Sequence, residues 1–260
     1  MSILRVGDST VGYATDGHGE PFLLLHGTTM SRTAWDVVRP SVPGSYEWVM
    51  VEFPGSGESS MPAAALTIEL LVDDALAVMN HLGHERFHVA GYSLGAVAAL
   101  AIAGTAPDRV RSVTSLCGWT VSDARMRVTF DLWAKLIEAD PALFIRYAFA
   151  DGLTAGALTM MEPMLDDAIA LSVGTIAPGS LAHLELDKTL DIAALLPKIT
   201  SPTLVIGALE DRWVDIRHSR ELAEVISGAR LVELPAGHLV IQELAADVAA
   251  LLHEHASAAA

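Results

Sequence analysis

The chain has a single cysteine, Cys117, among its 260 residues, so no disulfide can close within it. That suits a reducing compartment. Cys117 ends the apolar run Val113-Thr114-Ser115-Leu116-Cys117 and is expected to fill core space rather than to react. Basic residues are scarce as well: 16 Lys and Arg stand against 32 Asp and Glu, a formal charge of -16. Phosphates would be repelled at long range, so nucleic acid and anionic membrane surfaces are poor partners, and a small molecule is the expected one. No apolar run approaches the ~20 residues that cross a bilayer. Met1 to Thr10 lacks the basic region and hydrophobic stretch of a secretory leader, and a cytoplasmic location is expected. No cluster of His, Cys or carboxylates has metal-ligand spacing, so neither metal nor cofactor is called for. Internal repeats are missing, and the only low-complexity stretch is the tail Ala256 to Ala260, which is expected to fray. Composition leaves the oligomeric state open.

The chain does have apolar residues, 52% of the total, enough for one large core. Short runs rich in Leu and β-branched residues recur at Ile3 to Val6, Pro21 to Leu25, Trp48 to Val51, Phe87 to Ala90, Val110 to Leu116, Thr203 to Ile206 and Arg230 to Leu234. Several are apolar at successive positions, as in strands covered on both faces. Helix-like stretches alternate with them at Thr67 to Leu82, Ser93 to Ala106, Ile216 to Ile226 and Gln242 to His255. The alternation predicts a mostly parallel α/β sheet with helices on both faces, mixed at one edge where Gly7-Asp8 separates two strands of a hairpin.

Between Trp119 and Asp187 that rhythm stops, and helical pieces are separated by Asp140-Pro141, Gly152, Gly156, Glu162-Pro163 and Pro178-Gly179. This predicts a core domain of residues 1–118 and 188–260 with a helical insertion, 119–187. Met126, Met160, Met161 and Met164, with Trp133, Phe144, Tyr147 and Phe149, would either line an adaptable apolar pocket or pack the insertion onto the core.

The run Gly91-Tyr92-Ser93-Leu94-Gly95 joins a strand to a helix. A serine at such a bend sits in strained backbone with its hydroxyl clear of the sheet, and small residues two before and two after let other backbone come close. Ser93 is therefore the candidate nucleophile. A serine hydroxyl needs a base and a group to orient the base. His238 follows the strand Arg230 to Leu234, and Asp211 follows the strand Thr203 to Ile206, each at the strand end where loops of a parallel sheet converge. The order Ser93, Asp211, His238 is the one expected for a serine turn completed from later strands. Glu210 and Asp215 lie close enough to compete for the acid role. The backbone N–H groups of Leu94 and of Thr28, in the turn His26-Gly27-Thr28-Thr29, are the candidate oxyanion donors. Thr29, Trp213 and Leu239, close to these positions, and Trp119, which starts the insertion just after a strand end, are the candidate substrate contacts. His26 is expected to hold the oxyanion turn, Trp35 to lie in the core or at the pocket edge, and His18, His81, His84, His88 and His183 to serve the surface or packing.

Leu25-His26-Gly27, Phe53-Pro54-Gly55-Ser56-Gly57-Glu58-Ser59, the serine turn, Glu210-Asp211-Arg212-Trp213-Val214 and Gly237-His238 occur in this order. With them the chain resembles the α/β-hydrolase fold superfamily over nearly its full length, and is similar within it to small cofactor-free esterases, lactonases and aminoacrylate or enol-lactone hydrolases. The resemblance implies an eight-stranded sheet with a helical cap after the sixth strand, and a serine hydrolase acting on a small hydrophobic ester, lactone, thioester or activated amide. Ser93 would be nucleophile, His238 base and then acid, and Asp211 its orienting carboxylate. Glu52, Ala96 and Ala208 depart from the family pattern, which commonly has Asp, Gly and Gly there. Elimination, C–C cleavage or cyclisation on the same groups is the alternative chemistry, and a ligand-binding pseudoenzyme a further one.

Overall fold

A computed structural model describes residues 2–259. Eight strands form one sheet: β1 (Ser2–Val6), β2 (Ser9–Gly17), β3 (Glu20–Leu25), β4 (Tyr46–Val51), β5 (Phe87–Tyr92), β6 (Val110–Leu116), β7 (Thr203–Ala208) and β8 (Arg230–Leu234). Their spatial order is β1-β2-β4-β3-β5-β6-β7-β8. β2 runs antiparallel to both of its neighbours, and the pairs from β4 to β8 are parallel. The predicted hairpin at Gly7-Asp8 thus forms the mixed edge.

Successive apolar residues in these strands serve two separate cores, because alternate side chains leave opposite faces of a strand. Leu23 and Leu25 of β3 join one core with Val49, Val51 and Val89. Phe22 and Leu24 join the other with Met50, Leu204 and Ile206. The first core is closed by α1 (Ile68–His81) and α2 (Leu94–Thr105). Helix α1 starts at Thr67, whose hydroxyl accepts from Leu70 N, and buries Leu71, Val72, Ala75, Val78 and Met79 along one stripe. Helix α2 is buried from Leu94 to Gly104, which is why its sequence is apolar all round.

The second core is closed from the other side by the C-terminal end of the chain. A single helix over Gln242 to His255 was the expectation, and the structure divides it into α9 (Val240–Glu243) and α10 (Ala245–Ala258). The chain bends at Leu244 (φ -131, ψ 44), which lets Val240 and Ile241 dock in the same core as Val248 and Leu252. The tail departs from the fraying expected of it: α10 runs through Ala258, and Ala256 is buried in that core.

Between β6 and β7 lie α3 (Ala124–Ala139), α4 (Pro141–Gly152), α5 (Ala155–Met161), α6 (Leu165–Val173) and α7 (Ser180–Thr189), while α8 (Ile216–Val225) connects β7 to β8. Asp123, Asp140 and Thr154 cap the starts of α3, α4 and α5 through their side-chain oxygens. The two ends of this helical segment meet, with an isolated bridge between Val121 and Asp191. No helix of the described residues is long and apolar enough to cross a membrane.

Candidate active site

Ser93 occupies the turn from β5 into α2 with φ 57 and ψ -119, a conformation that L residues rarely adopt. The flanking glycines are required by contact. A Cβ on Gly91 would lie 1.8 Å from Gly95 O, and one on Gly95 would lie 2.3 Å from Leu25 O. Among the described residues, the non-glycine positions with positive φ are Thr29, Ser93 and Cys117. They follow the C-terminal ends of β3, β5 and β6, which are neighbours in the sheet, so backbone strain gathers at one rim.

The structure brings Ser93, His238 and Asp211 together at that rim. His238 Nε2 lies 3.1 Å from Ser93 Oγ, and its Nδ1 lies 2.6 Å from Asp211 Oδ2. The second carboxylate oxygen of Asp211 accepts from Trp213 N at 2.9 Å and Val214 N at 2.8 Å. All three side chains are buried. The competing carboxylates go elsewhere: Asp215 caps α8 by accepting from Arg217 N, and Glu210 is exposed.

Thr28 and Leu94 flank the serine. A Cβ on Gly27 would lie 3.2 Å from Ser93 Cβ, so the turn His26-Gly27-Thr28-Thr29 comes directly against Ser93. The N–H groups of Thr28 and Leu94 have no protein acceptor among the described residues. His26 is buried beneath the turn, where Nδ1–H donates to Gly27 O at 2.8 Å and Nε2 accepts from Phe53 N at 3.1 Å. Burial lowers its pKa to about 3, keeping the ring neutral and one nitrogen free to accept. Trp35, fully buried, donates from Nε1 to Leu25 O and ties down the end of β3.

Two of the three departures from the family pattern, Glu52 and Ala96, are accommodated locally. Glu52 turns its carboxylate into space that a Cβ on Gly57 would fill at 1.9 Å, and there accepts from Glu58 N. A Cβ at Gly118 would lie 2.9 Å from Ala96 Cβ, so the methyl at 96 occupies room left by the missing one at 118.

A cavity of about 130 Å³ opens onto Ser93 and His238. Trp133, Phe144, Ile145 and Phe149 from α3 and α4 and Ile176 beyond α6 form its apolar wall, with Trp213 and Leu239. Besides Ser93 and His238, its polar lining is uncharged and includes Thr28, Thr29, Tyr92, Ser172, Thr175 and Gln242. Trp119 does not reach it. That ring is fully buried against Phe130 and donates from Nε1 to Ser122 Oγ, contacts that claim it for the packing of α3. The insertion's methionines do not line it either: Met126 is packed in the core, Met161 is half-buried, and Met160 and Met164 are exposed.

Three residues to which the sequence analysis gives no role hold the site, and Cys117, expected to fill core space, is buried beside it. Tyr92 Oη donates to His238 O, Asp187 accepts from Thr28 Oγ1, and Glu243 accepts from Gly237 N and from Thr154. Glu243 thereby ties the histidine loop to α5. The thiol of Cys117 faces Asp211, and burial, then the Asp211 charge, push it well above the ordinary thiol range. Tyr92 could have been suspected from its place beside the serine. The others sit in parts of the sequence with no motif. Cys117, Asp211 and His238 present ligand atoms within 4.8 Å of one another, but Asp211 and His238 are already joined by a short hydrogen bond.

The sequence matches the alpha/beta hydrolase family over residues 22–251, and the chain belongs to that family. It is 29% identical over 246 residues to pyrrolizixenacetamide deacetylase of Xenorhabdus hominickii, covering 92% of this chain and 91% of that protein. Among solved structures, MGS-M2, an alpha/beta hydrolase enzyme from a Medee basin deep-sea metagenome library, superposes with a TM-score of 0.90 at 21% identity, over 98% of this chain and 96% of the other. The enol-lactonase from Burkholderia xenovorans LB400 superposes with a TM-score of 0.87 at 23% identity, over 98% and 100%. By family the protein is a hydrolase of the alpha/beta fold.

Proposed function

We propose that the protein is a serine hydrolase that cleaves a carboxylic ester, lactone, thioester or activated amide of a small hydrophobic substrate through an acyl-enzyme. The observation that carries this reading is the continuous relay from Asp211 through His238 to Ser93, at 2.6 and 3.1 Å. Asp211 is acceptor-only when ionised, so it holds the His238 proton on Nδ1 and leaves the Nε2 lone pair facing the serine hydroxyl. Nε2 takes the Ser93 proton as Oγ attacks the carbonyl, then returns it to the leaving alcohol, thiol or amine. The N–H groups of Thr28 and Leu94 stabilise the oxyanion. Water attacks the acyl-enzyme by the same proton transfers, releasing the acid.

Residues 119–187 act in this reading as a helical cap that walls the acyl site. No lysine or arginine lines the cavity among the described residues, which suits an uncharged substrate. The deacetylase relative named above is consistent with a small acyl group.

A fluorophosphonate probe should label Ser93, and Ser93→Ala should lose nearly all turnover of short p-nitrophenyl esters. Undiminished turnover by that variant would refute the acyl-enzyme route. Product formed by the wild type with no acylated Ser93 trapped would favour elimination, C–C cleavage or cyclisation instead.

A further inference from the structure

The oxyanion turn is held from several directions. His26 ties it to Phe53 from below, and Ser56 Oγ donates to Met30 O at its far end. Another tie comes from the helical segment between β6 and β7. Asp187, near the end of α7, is fully buried, and its Oδ2 accepts from Thr28 Oγ1 at 2.6 Å. Its Oδ1 has no hydrogen-bond partner. A half-satisfied carboxyl in such a place opposes folding, and an apolar side chain would serve the core better. The position therefore calls for a reason other than packing.

The surroundings of Asp187 supply one. Ser122 Oγ donates to Asp187 O, and Trp119 Nε1 donates to Ser122 Oγ. Ser122 N donates to Leu190 O and Ile192 N to Thr120 O, both at 3.0 Å. The two ends of the helical segment are thus laced into one joint, and the Asp187 side chain runs from that joint to the oxyanion turn.

We propose that Asp187 is a positioning residue for the reaction: by accepting from Thr28 Oγ1 it fixes the Gly27–Thr28 peptide so that Thr28 N–H stays aimed at the developing oxyanion. The helical segment then contributes to catalysis as well as to the pocket wall, since the tie at Thr28 itself runs from the joint. This rests on the acyl-enzyme reading given above. Burial raises the Asp187 carboxyl to about 8, so near neutrality it is largely uncharged and asparagine is a close substitute in shape and charge.

The test uses the full chain with p-nitrophenyl acetate and propionate, alongside fluorophosphonate labelling and thermal unfolding. Thr28→Val and Asp187→Ala are each expected to lower kcat about 10- to 100-fold with KM within about threefold, the pattern of a weakened transition-state contact. Asp187→Asn should recover most of the Asp187→Ala loss because it keeps an acceptor oxygen. The double variant Thr28→Val/Asp187→Ala should be no slower than the slower single one, because both changes remove one interaction. Wild-type kcat in Thr28→Val and Asp187→Ala, with only a lower unfolding temperature, would overturn the proposal. Should Asp187→Ala fail to fold, Thr28→Val, which keeps the side-chain shape, decides alone: an unchanged kcat overturns the proposal and a loss in kcat upholds it. A wild type that is neither labelled at Ser93 nor active on the esters overturns the parent reading and this proposal with it; an active, labelled wild type with indifferent variants overturns this proposal only.

Discussion

The phenol of Tyr92 donates a 2.8 Å hydrogen bond to the backbone carbonyl of His238, so the residue beside the proposed nucleophile also holds the loop that carries the proposed base. The two rings lie 5.4 Å apart at 37°, and Trp213 packs on the imidazole from 4.8 Å. The imidazole is therefore fixed by its neighbours as well as by Asp211.

Tyr92→Phe removes that donor and leaves a buried carbonyl without it. The expected cost is about 1–3 kcal/mol in stability, measured by urea unfolding. A kcat reduction of about three- to tenfold, with KM nearly unchanged, should accompany it as His238 loosens. Unaltered stability and kcat would mean that the loop is held without the phenol.

Asp211→Asn tests the orientation of the imidazole. Two backbone N–H groups bind Oδ1 of Asp211, so an asparagine would keep its oxygen there and turn its NH2 towards His238. That geometry favours the tautomer with the proton on Nε2, which cannot accept from Ser93. The expected fall in kcat is about 10³- to 10⁴-fold, read from steady-state ester hydrolysis, with the fold retained by circular dichroism. Near-normal turnover would show that another group orients the base.

Two buried groups pull the pH dependence of stability in opposite directions. Burial lowers His26 from 6.5 to about 3, so between those values the unfolded chain binds more protons and stability rises with pH. Burial raises Asp187 from 3.8 to about 8, so between those values the folded chain binds more protons and stability falls as pH rises. Asp187→Asn removes only the second contribution. Relative to wild type it should gain stability progressively from about pH 4 to about pH 8 in urea titrations. A constant offset across that range would contradict the raised carboxyl.

Cys117 is 1% exposed, and its thiol is held protonated by burial and by the neighbouring Asp211 charge. The native protein should leave an aromatic disulfide reagent unreacted over an hour, and the unfolded chain should release one equivalent. Rapid stoichiometric reaction of the native protein would show that the rim opens at Cys117.

Much of this architecture is legible in the sequence, because many of its determinants are local. Gly91 before Ser93 reflects a contact with Gly95 a few residues on, while Gly95 is required by the distant Leu25 carbonyl, and consecutive apolar residues such as Phe22 to Leu25 announce a strand buried on both faces. Local pattern misled where long-range packing decided. The C-terminal stretch is periodic enough for one helix, yet docking of Val240 and Ile241 bends it at Leu244. Trp119 lies next to a strand end at the correct rim, but its ring is claimed by Ser122 and Phe130. Nothing near Asp187, Glu243 or Cys117 in the sequence marks their partners, which lie 159 residues away for Asp187 and Thr28.

By itself the sequence settled which segments are strands, that helices cover both faces, and the chain order of the serine, the acid and the histidine, since these follow from side-chain period and turn stereochemistry. Only the tertiary structure decided which side chains face the cavity, which carboxylate reaches His238, and that α7 sends a buried acid to Thr28. A hydrogen bond between distant segments depends on tenths of an ångström in how whole elements pack, and no short stretch of residues carries that information.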